Sequence, residues 1–386
     1  MNMLSSHDDY LGFEQGPIRP PSEANSLLLR VTRNCPWNKC SFCGIYKGEP
    51  FSIRKVDHLR RDIDQVRQFV EQIETVVRGS DGASPTLESL QTGLSRPDRL
   101  AFHAALAFMR GGKRSIFLQD ANTLVIKPDA LVAILQHVRQ AFPNVERVTS
   151  YARSHSISKI SDENLARLAA AGLNRIHIGM ESAVDAVLAF VNKGADKQTH
   201  ILAGQKVKKA GIELSEYFMP GLGGAAYSRQ NALETADALN QIDADFIRIR
   251  TLAIPEMIEL YKDVEAGTFK PLDDKQKSEE LLWFLDHLHG VQSTVKSDHI
   301  LNLFQEVEGV LPQDQARMTA PIRSFLAMAP QAQVLYMVGR RSGIFSRLSD
   351  LDDAELQEHA EQAMVAHGVT LDNVDSWAAE MMQRFI

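Results

Sequence analysis

The stretch Ser26-Leu27-Leu28-Leu29-Arg30-Val31-Thr32-Arg33-Asn34-Cys35-Pro36-Trp37-Asn38-Lys39-Cys40-Ser41-Phe42-Cys43-Gly44 decides how the rest of the chain is read. Its first half is a short continuous apolar run, the pattern of a strand buried on both faces, predicted over 27–32. The run delivers the chain into three cysteines spaced C-x4-C-x2-C, which are therefore expected on a loop at the strand's C-terminal end.

Working outward, five more short apolar runs follow, at 115–118, 147–151, 175–179, 212–219 and 246–252. Helical periodicity fills the gaps at 129–141, 162–171 and 198–210, and each helix is followed by a Gly or Pro stop. Six strands alternating with helices predict a parallel sheet with right-handed crossovers, curled or closed into a barrel. The link from the first strand to the second is the longest. It is read as a helix over 56–77, a flexible excursion over 79–85 and a second helix over 98–109. Beyond Pro255 the strand pattern stops, and helices are predicted at 274–289, 297–309, 314–326 and 353–367.

The 386 residues are 44% hydrophobic and 24% charged, as in a globular protein with a sizeable core. A formal net charge of −7 advertises neither a nucleic-acid nor a membrane surface. No apolar run has the length of a signal peptide or a membrane span, so the expected location is cytoplasmic. Residues 1–24 are polar with three prolines, and read as an extended lead-in.

The only three cysteines lie within nine residues, and an odd, clustered set is not a disulfide framework. Thiolates are soft ligands for zinc or iron–sulfur clusters. A plant-type ferredoxin has this spacing but needs a fourth cysteine, which the chain lacks. A Cys3His zinc site would require one of the twelve histidines to fold in from a distance. The third reading is a [4Fe–4S] cluster with three protein ligands and one iron left for a small molecule. As non-catalytic alternatives, an iron–sulfur electron-transfer protein or a zinc-stabilised binding protein stay open at this point.

A strand, a three-cysteine loop with an aromatic between the last two cysteines, and a parallel α/β alternation together resemble the radical S-adenosylmethionine (SAM) superfamily over roughly 26–252. The spacing departs from that family's commoner C-x3-C-x2-C. The resemblance implies an α/β fold, a partial parallel (β/α)6 barrel over 25–255, with a mostly helical C-terminal region over 256–386 serving as lid or specificity region. It implies that Cys35, Cys40 and Cys43 hold a [4Fe–4S] cluster, that SAM chelates the open iron, and that one electron cleaves SAM to methionine and a 5′-deoxyadenosyl radical. A flavodoxin or ferredoxin would supply the electron. The radical would abstract hydrogen from a substrate, a small molecule or otherwise, that the sequence does not identify. No second cysteine cluster is present, and the segment ahead of Ser26 is too short for a cobalamin domain.

The family's SAM contacts lie at the C-terminal ends of strands, which carries the resemblance onto particular residues. Asp120 and Asn122 follow the second strand, Asn122 alternatively capping the turn ahead of Pro128. Ser150 and Arg153, beside Tyr151, follow the third and offer polar groups to the methionine carboxylate or ribose. Gly179-Met180-Glu181-Ser182 resembles the family's Gly-x-Glu-Ser ending, with Glu181 and Ser182 as SAM contacts. Lys193 matches a basic residue that pairs with the SAM carboxylate, or is a solvated helix-end cation. Phe42 and Gly221 fall where the adenine would pack, and Leu252, at the end of the sixth strand, is a further expected cofactor contact. Arg248 and Arg250 share one face of the sixth strand and are either inward contacts or ordinary ion pairs. Asp298, His299 and Asn302 are read either as a lid or as the start of a helix capped by Ser297.

Overall fold

The computed structural model describes residues 9–79 and 86–384. Most of the excursion predicted over 79–85 therefore lies outside the described residues. Eight strands carry the sheet: β1 Leu27–Arg30, β2 Ser115–Gln119, β3 Arg147–Ala152, β4 Arg175–Glu181, β5 Glu213–Phe218, β6 Phe246–Ile249, β7 Thr294–Lys296 and β8 Gly309–Val310. The fold is α/β, a mostly parallel sheet interleaved with helices and followed by a largely helical C-terminal region. The chain forms two compact units. The first comprises the chain up to Pro36, Gly48–His177 and Lys209–Glu213, and the second comprises Trp37–Lys47, Ile178–Lys208 and Leu214 onward.

In the first unit β1 pairs in parallel with β2 and β2 with β3, in the registers Leu29↔Leu118 and Phe117↔Thr149. Parallel neighbours need long crossovers, and the helices Val56–Arg78, Arg96–Arg110 and Pro128–Ala141 supply them. Their starts are legible: Ser95 Oγ accepts the Asp98 N–H at 3.3 Å, and Pro128 occupies a first-turn position. The long helix turns Leu59, Ile63, Val66, Val70 and Ile73 inward at three- and four-residue spacing, against Phe102, Ala105 and Phe108.

Residues 9–20 contain no regular element, yet they are bound tightly to this unit. Phe13 is buried, and Glu14 receives Arg33 at 2.6 Å, Arg54 at 2.9 Å and Arg30 at 3.4 Å. Further on, Glu23 has no exposed side-chain surface and accepts the Ser26 hydroxyl at 2.5 Å, with Arg147 at 3.3 Å and His177 Nε2 at 3.9 Å. Burial works to raise the Glu23 pKa, but the nearby His177, the Ser26 hydrogen bond and the Arg147 charge hold it below the usual carboxylate value.

In the second unit β5 pairs with β6 and β6 with β7 in parallel, while β8 closes antiparallel on β7. The last two strands correct the expectation that strands end near Pro255. Three and two residues are too few to show a period, so only pairing defines them. The helix predicted over 297–309 is also corrected: after β7 the chain makes turns, and the Ser297 hydroxyl donates to the Phe304 carbonyl at 2.6 Å instead of capping a helix. Helices Pro330–Arg341 and Val374–Gln383 add to those predicted. The core here stacks Phe218 on Phe284 with centroids 4.0 Å apart, and groups Phe304, Phe325, Tyr336 and Phe345.

Glu23→Ala removes a buried acid from the half-buried Arg147 and leaves the Ser26 hydroxyl without that acceptor, so it is expected to destabilise the protein by about 1–3 kcal/mol. Because the folded pKa is depressed, the contribution of Glu23 is present above the ordinary glutamate pKa and lost as pH falls through the folded value. Denaturant titrations of both proteins at neutral and acid pH should show the gap narrowing in acid; a gap that widens contradicts this account.

Candidate functional site

The cysteine loop leaves a two-strand ribbon, Thr32–Arg33 against Ser52–Ile53. In the first unit its entry is fixed by one carboxylate. Asp120, fully buried just after β2, accepts the Arg30 Nε–H at 2.8 Å and the backbone N–H of Asn34 at 3.1 Å through the same oxygen, Oδ2. Asn34, immediately before Cys35, sits at φ +67°, a conformation asparagine tolerates better than most residues. A Cβ on Gly16 would come within 2.0 Å of the other Asp120 oxygen, so this position must be glycine for the carboxylate to lie where it does. The predicted ligand Asp120 thus orients the residue ahead of Cys35.

Of the other candidates in this unit, Asn122 does not cap a helix. Its amide donates to Ser156 Oγ at 2.7 Å and its carbonyl accepts the Arg153 N–H at 3.1 Å, joining the ends of β2 and β3. Ser150 is buried, its hydroxyl donating to the Tyr151 carbonyl at 3.1 Å, and Arg153 is half-buried after β3.

The second unit brings more of the candidates together. A tight turn closed by Cys43 N–H to Cys40 C=O at 3.3 Å carries both cysteines. Ser41 between them is locked on both sides, its N–H donating to Val191 C=O and its C=O accepting from Leu260 N–H, each at 3.0 Å. Phe42 packs on an apolar cluster that includes Val184, Val191, Leu222, Leu252 and Ile258, so two expected cofactor contacts, Phe42 and Leu252, share one wall. Lys193 is no solvated helix end. Its side chain is 12% exposed, its ammonium lies 3.3 Å from Glu181 Oε1 and 5.4 Å from the Phe42 ring centroid.

Glu181 ends β4 at φ +70°, and a Cβ on Gly179 would fall 2.2 Å from its Oε1. The glycine of Gly-x-Glu is therefore the space into which the glutamate folds. Ser182 is buried with its hydroxyl accepting the Val184 N–H at 3.1 Å. Gly221 adopts φ +92° in the turn after β5, a conformation open to glycine and costly for other residues.

Sequence reasoning missed Glu216, in the middle of β5. It is fully buried, and neither carboxyl oxygen has a hydrogen-bond partner among the described residues. Burial, and after it the negative charge of Glu181, push its pKa well above the usual carboxylate range; Lys193 offsets this only in part. An acid set between Leu214, Tyr217 and Phe218 within β5 was the available signal. Arg248 resolves as an ion pair, held by Ser215 Oγ at 3.2 Å and by Asp298, while the Arg250 guanidinium lies 4.9 Å over the Tyr217 ring. Asn302 serves the end of β6, accepting the Thr251 N–H at 3.0 Å and donating to the Ile249 carbonyl at 2.9 Å.

The three cysteines form no disulfide and are partly exposed. Among the described residues no three His, Cys, Asp or Glu side chains are gathered so as to hold a metal ion. By donor chemistry the loop fits an iron–sulfur cluster, offering three soft thiols within nine residues.

A family model described as the radical SAM superfamily matches residues 29–236, more than half of the chain and all three cysteines. The chain belongs to the radical SAM superfamily. As such it is an enzyme, and its family's cofactors are a [4Fe–4S] cluster and SAM. Among curated relatives, a tRNA uridine(34) acetyltransferase of Methanocaldococcus infernus is 24% identical over 286 residues, which are 68% of this chain and 49% of that protein. One of the same name from Methanocaldococcus jannaschii is 25% identical over 109 residues, 28% of this chain and 20% of that protein. The chain thus spans about half the length of the first and less of the second. Among solved structures, Escherichia coli coproporphyrinogen III oxidase, HemN, a radical SAM enzyme, is similar with a TM-score of 0.40 and 16% identity over 64% of this chain and 49% of that one. Relatives named for a tRNA nucleotide stand against the expectation that nothing points to nucleic acid. No helix among the described residues is long and apolar enough to cross a membrane.

Glu216→Gln tests the buried acid. A carboxyl whose folded pKa is raised contributes stability below its unfolded pKa and loses it as pH rises through the folded value. Melting temperatures from about pH 5 to about pH 9 should therefore fall more steeply for the wild type than for Glu216→Gln. Parallel curves would mean that Glu216 does not titrate in this range.

Proposed function

We propose that this radical SAM enzyme holds its cluster through Cys35, Cys40 and Cys43 and uses it to initiate hydrogen abstraction from a substrate. The family match spanning the cysteine loop and the strands after it carries this reading. When bound, cluster and SAM together supply a 5′-deoxyadenosyl radical by one-electron cleavage of SAM.

The chain's own residues prepare for this. Asp120 holds the peptide ahead of Cys35, and the Ser41 backbone bonds hold the turn of Cys40 and Cys43. Phe42 and Leu252 offer an apolar wall suited to adenine. Glu181 and Lys193 present an acceptor and a donor already paired with each other, which a ligand with amino, hydroxyl and carboxylate groups can enter by exchange. Asn122, Ser150, Arg153 and Ser182 are proposed as further polar contacts, and Gly221 lets the backbone come close to the base. The electron comes from a flavodoxin or ferredoxin, and residues 256–386 serve as lid or specificity region.

A nucleotide of tRNA is a second reading of the substrate, favoured by what the two relatives are named for.

Anaerobically reconstituted protein should contain about four irons per chain and form 5′-deoxyadenosine from SAM on reduction. Cys40→Ala should lose both, and Glu181→Gln should keep the iron while binding SAM more weakly. A full cluster with no 5′-deoxyadenosine would refute the proposal. A gel-shift titration with tRNA addresses the second reading, and unchanged mobility would remove it.

A further inference from the structure

We infer that Glu280, on helix Asp274–His287 of the C-terminal region, is a positioning residue that sets SAM affinity by holding the turn Met219–Gly224 in its binding shape. This rests on the proposal above that the turn approaches the SAM adenine. It goes further by giving the C-terminal region a part in building that site.

The geometry is specific. Side chains hold the turn's backbone at two points. Gly221, at φ +92°, donates its N–H to Glu280 Oε1 at 3.1 Å, and Met219 C=O receives the amide of Asn231 at 3.3 Å. The same Asn231 amide donates to Glu280 Oε1 at 2.7 Å, so one carboxyl oxygen joins the turn to helix Gly224–Ile242. The other oxygen accepts Ser228 Oγ–H at 2.7 Å. Leu252, of the apolar wall, donates its N–H to Pro220 C=O at 3.0 Å, so the held turn also carries that side chain. Lys277, one turn before Glu280, lays its stem within 3.4 Å of where a Gly221 Cβ would stand.

Glu280 is fully buried. Burial pushes its pKa up to about 7, against the pull of Ser228, Asn231, Gly221 and the Lys277 charge. A neutral carboxyl still fits every contact: Oε1 as the carbonyl oxygen accepts from Gly221 and Asn231, while the Oε2 hydroxyl pairs with Ser228. Glutamine reproduces that arrangement with its oxygen and amide. Alanine leaves the Gly221 N–H without its acceptor, and aspartate, one methylene shorter, withdraws from it.

The test compares Glu280→Gln, Glu280→Ala and Glu280→Asp in the cluster-loaded protein. Readouts are hydrogen–deuterium exchange of the peptide covering 219–224, the SAM dissociation constant by equilibrium dialysis, and 5′-deoxyadenosine formation at saturating SAM. Alanine and aspartate should speed exchange in the turn and weaken SAM binding by about tenfold or more, the size of one lost buried hydrogen bond. Glutamine should stay within about threefold of wild type on both. At saturating SAM the alanine and aspartate variants should approach the wild-type rate, which general unfolding would not allow. Should Glu280→Ala fail to fold, Glu280→Asp still decides. Unchanged exchange, or faster exchange with unchanged SAM affinity, overturns the inference while leaving the cluster assignment standing. A wild-type protein that carries its cluster and binds no SAM overturns the underlying reading and this inference together.

Discussion

Parallel pairing brings the C-terminal ends of neighbouring strands to the same edge, and most of what this chain offers to chemistry is found at such ends. In the first unit β1, β2 and β3 are parallel; in the second β5, β6 and β7 are. Each crossover helix returns the chain to begin the next strand, so each strand's C-terminal end opens into a loop. Asp120, Asn122 and Arg153 follow β2 and β3, and Gly221 and Leu252 follow β5 and β6. The sheet thus repeats a polar or glycine-containing strand ending, and side-chain hydrogen bonds give each ending its shape.

Those bonds share a logic. Where the backbone must leave the common regions of conformation, a side chain from elsewhere takes up the exposed peptide group. Asp120 does this for Asn34 at φ +67° and Glu280 for Gly221 at φ +92°. A buried peptide N–H without an acceptor costs about 1–3 kcal/mol, so each pairing is a condition for the loop to hold its course. The acids that satisfy these peptides are themselves buried, and partners such as Arg30 beside Asp120 compensate the charge. Glu216 differs: it lacks such a partner among the described residues, and burial pushes its pKa well above the usual carboxylate range.

Much of this was legible. The cysteine spacing, the strand ahead of it and the strand–helix alternation led to the radical SAM superfamily without a structure. Predicted helices over 129–141 and 162–171 agree with Pro128–Ala141 and Asp162–Ala170 because apolar periodicity and Gly or Pro stops are local signals. Gly179-x-Glu181 was legible for the same reason, since two residues apart on a strand share a face. The failures came where a distant partner overrides local preference. Ser297 and Asp298 read as a helix start, but Ser297 bonds Phe304 and Asp298 pairs with Arg248, and those bonds favour turns over a helix. The polar lead-in read as extended, and residues 9–20 hold no regular element; that Glu14 within it pairs with Arg30, Arg33 and Arg54 was not legible.

The sequence by itself determined the chemistry available: three thiols on one loop, strands to carry it, and a superfamily that uses a cluster and SAM. These are properties of residue type and near-neighbour spacing. Only the tertiary structure decided what each charged side chain does, because burial and partner are set by segments tens to hundreds of positions apart. It turned Asp120 toward the peptide ahead of Cys35, took Lys193 out of solvent onto Glu181 and Phe42, left Glu216 without a partner among the described residues, and set Glu280 under the turn at Gly221.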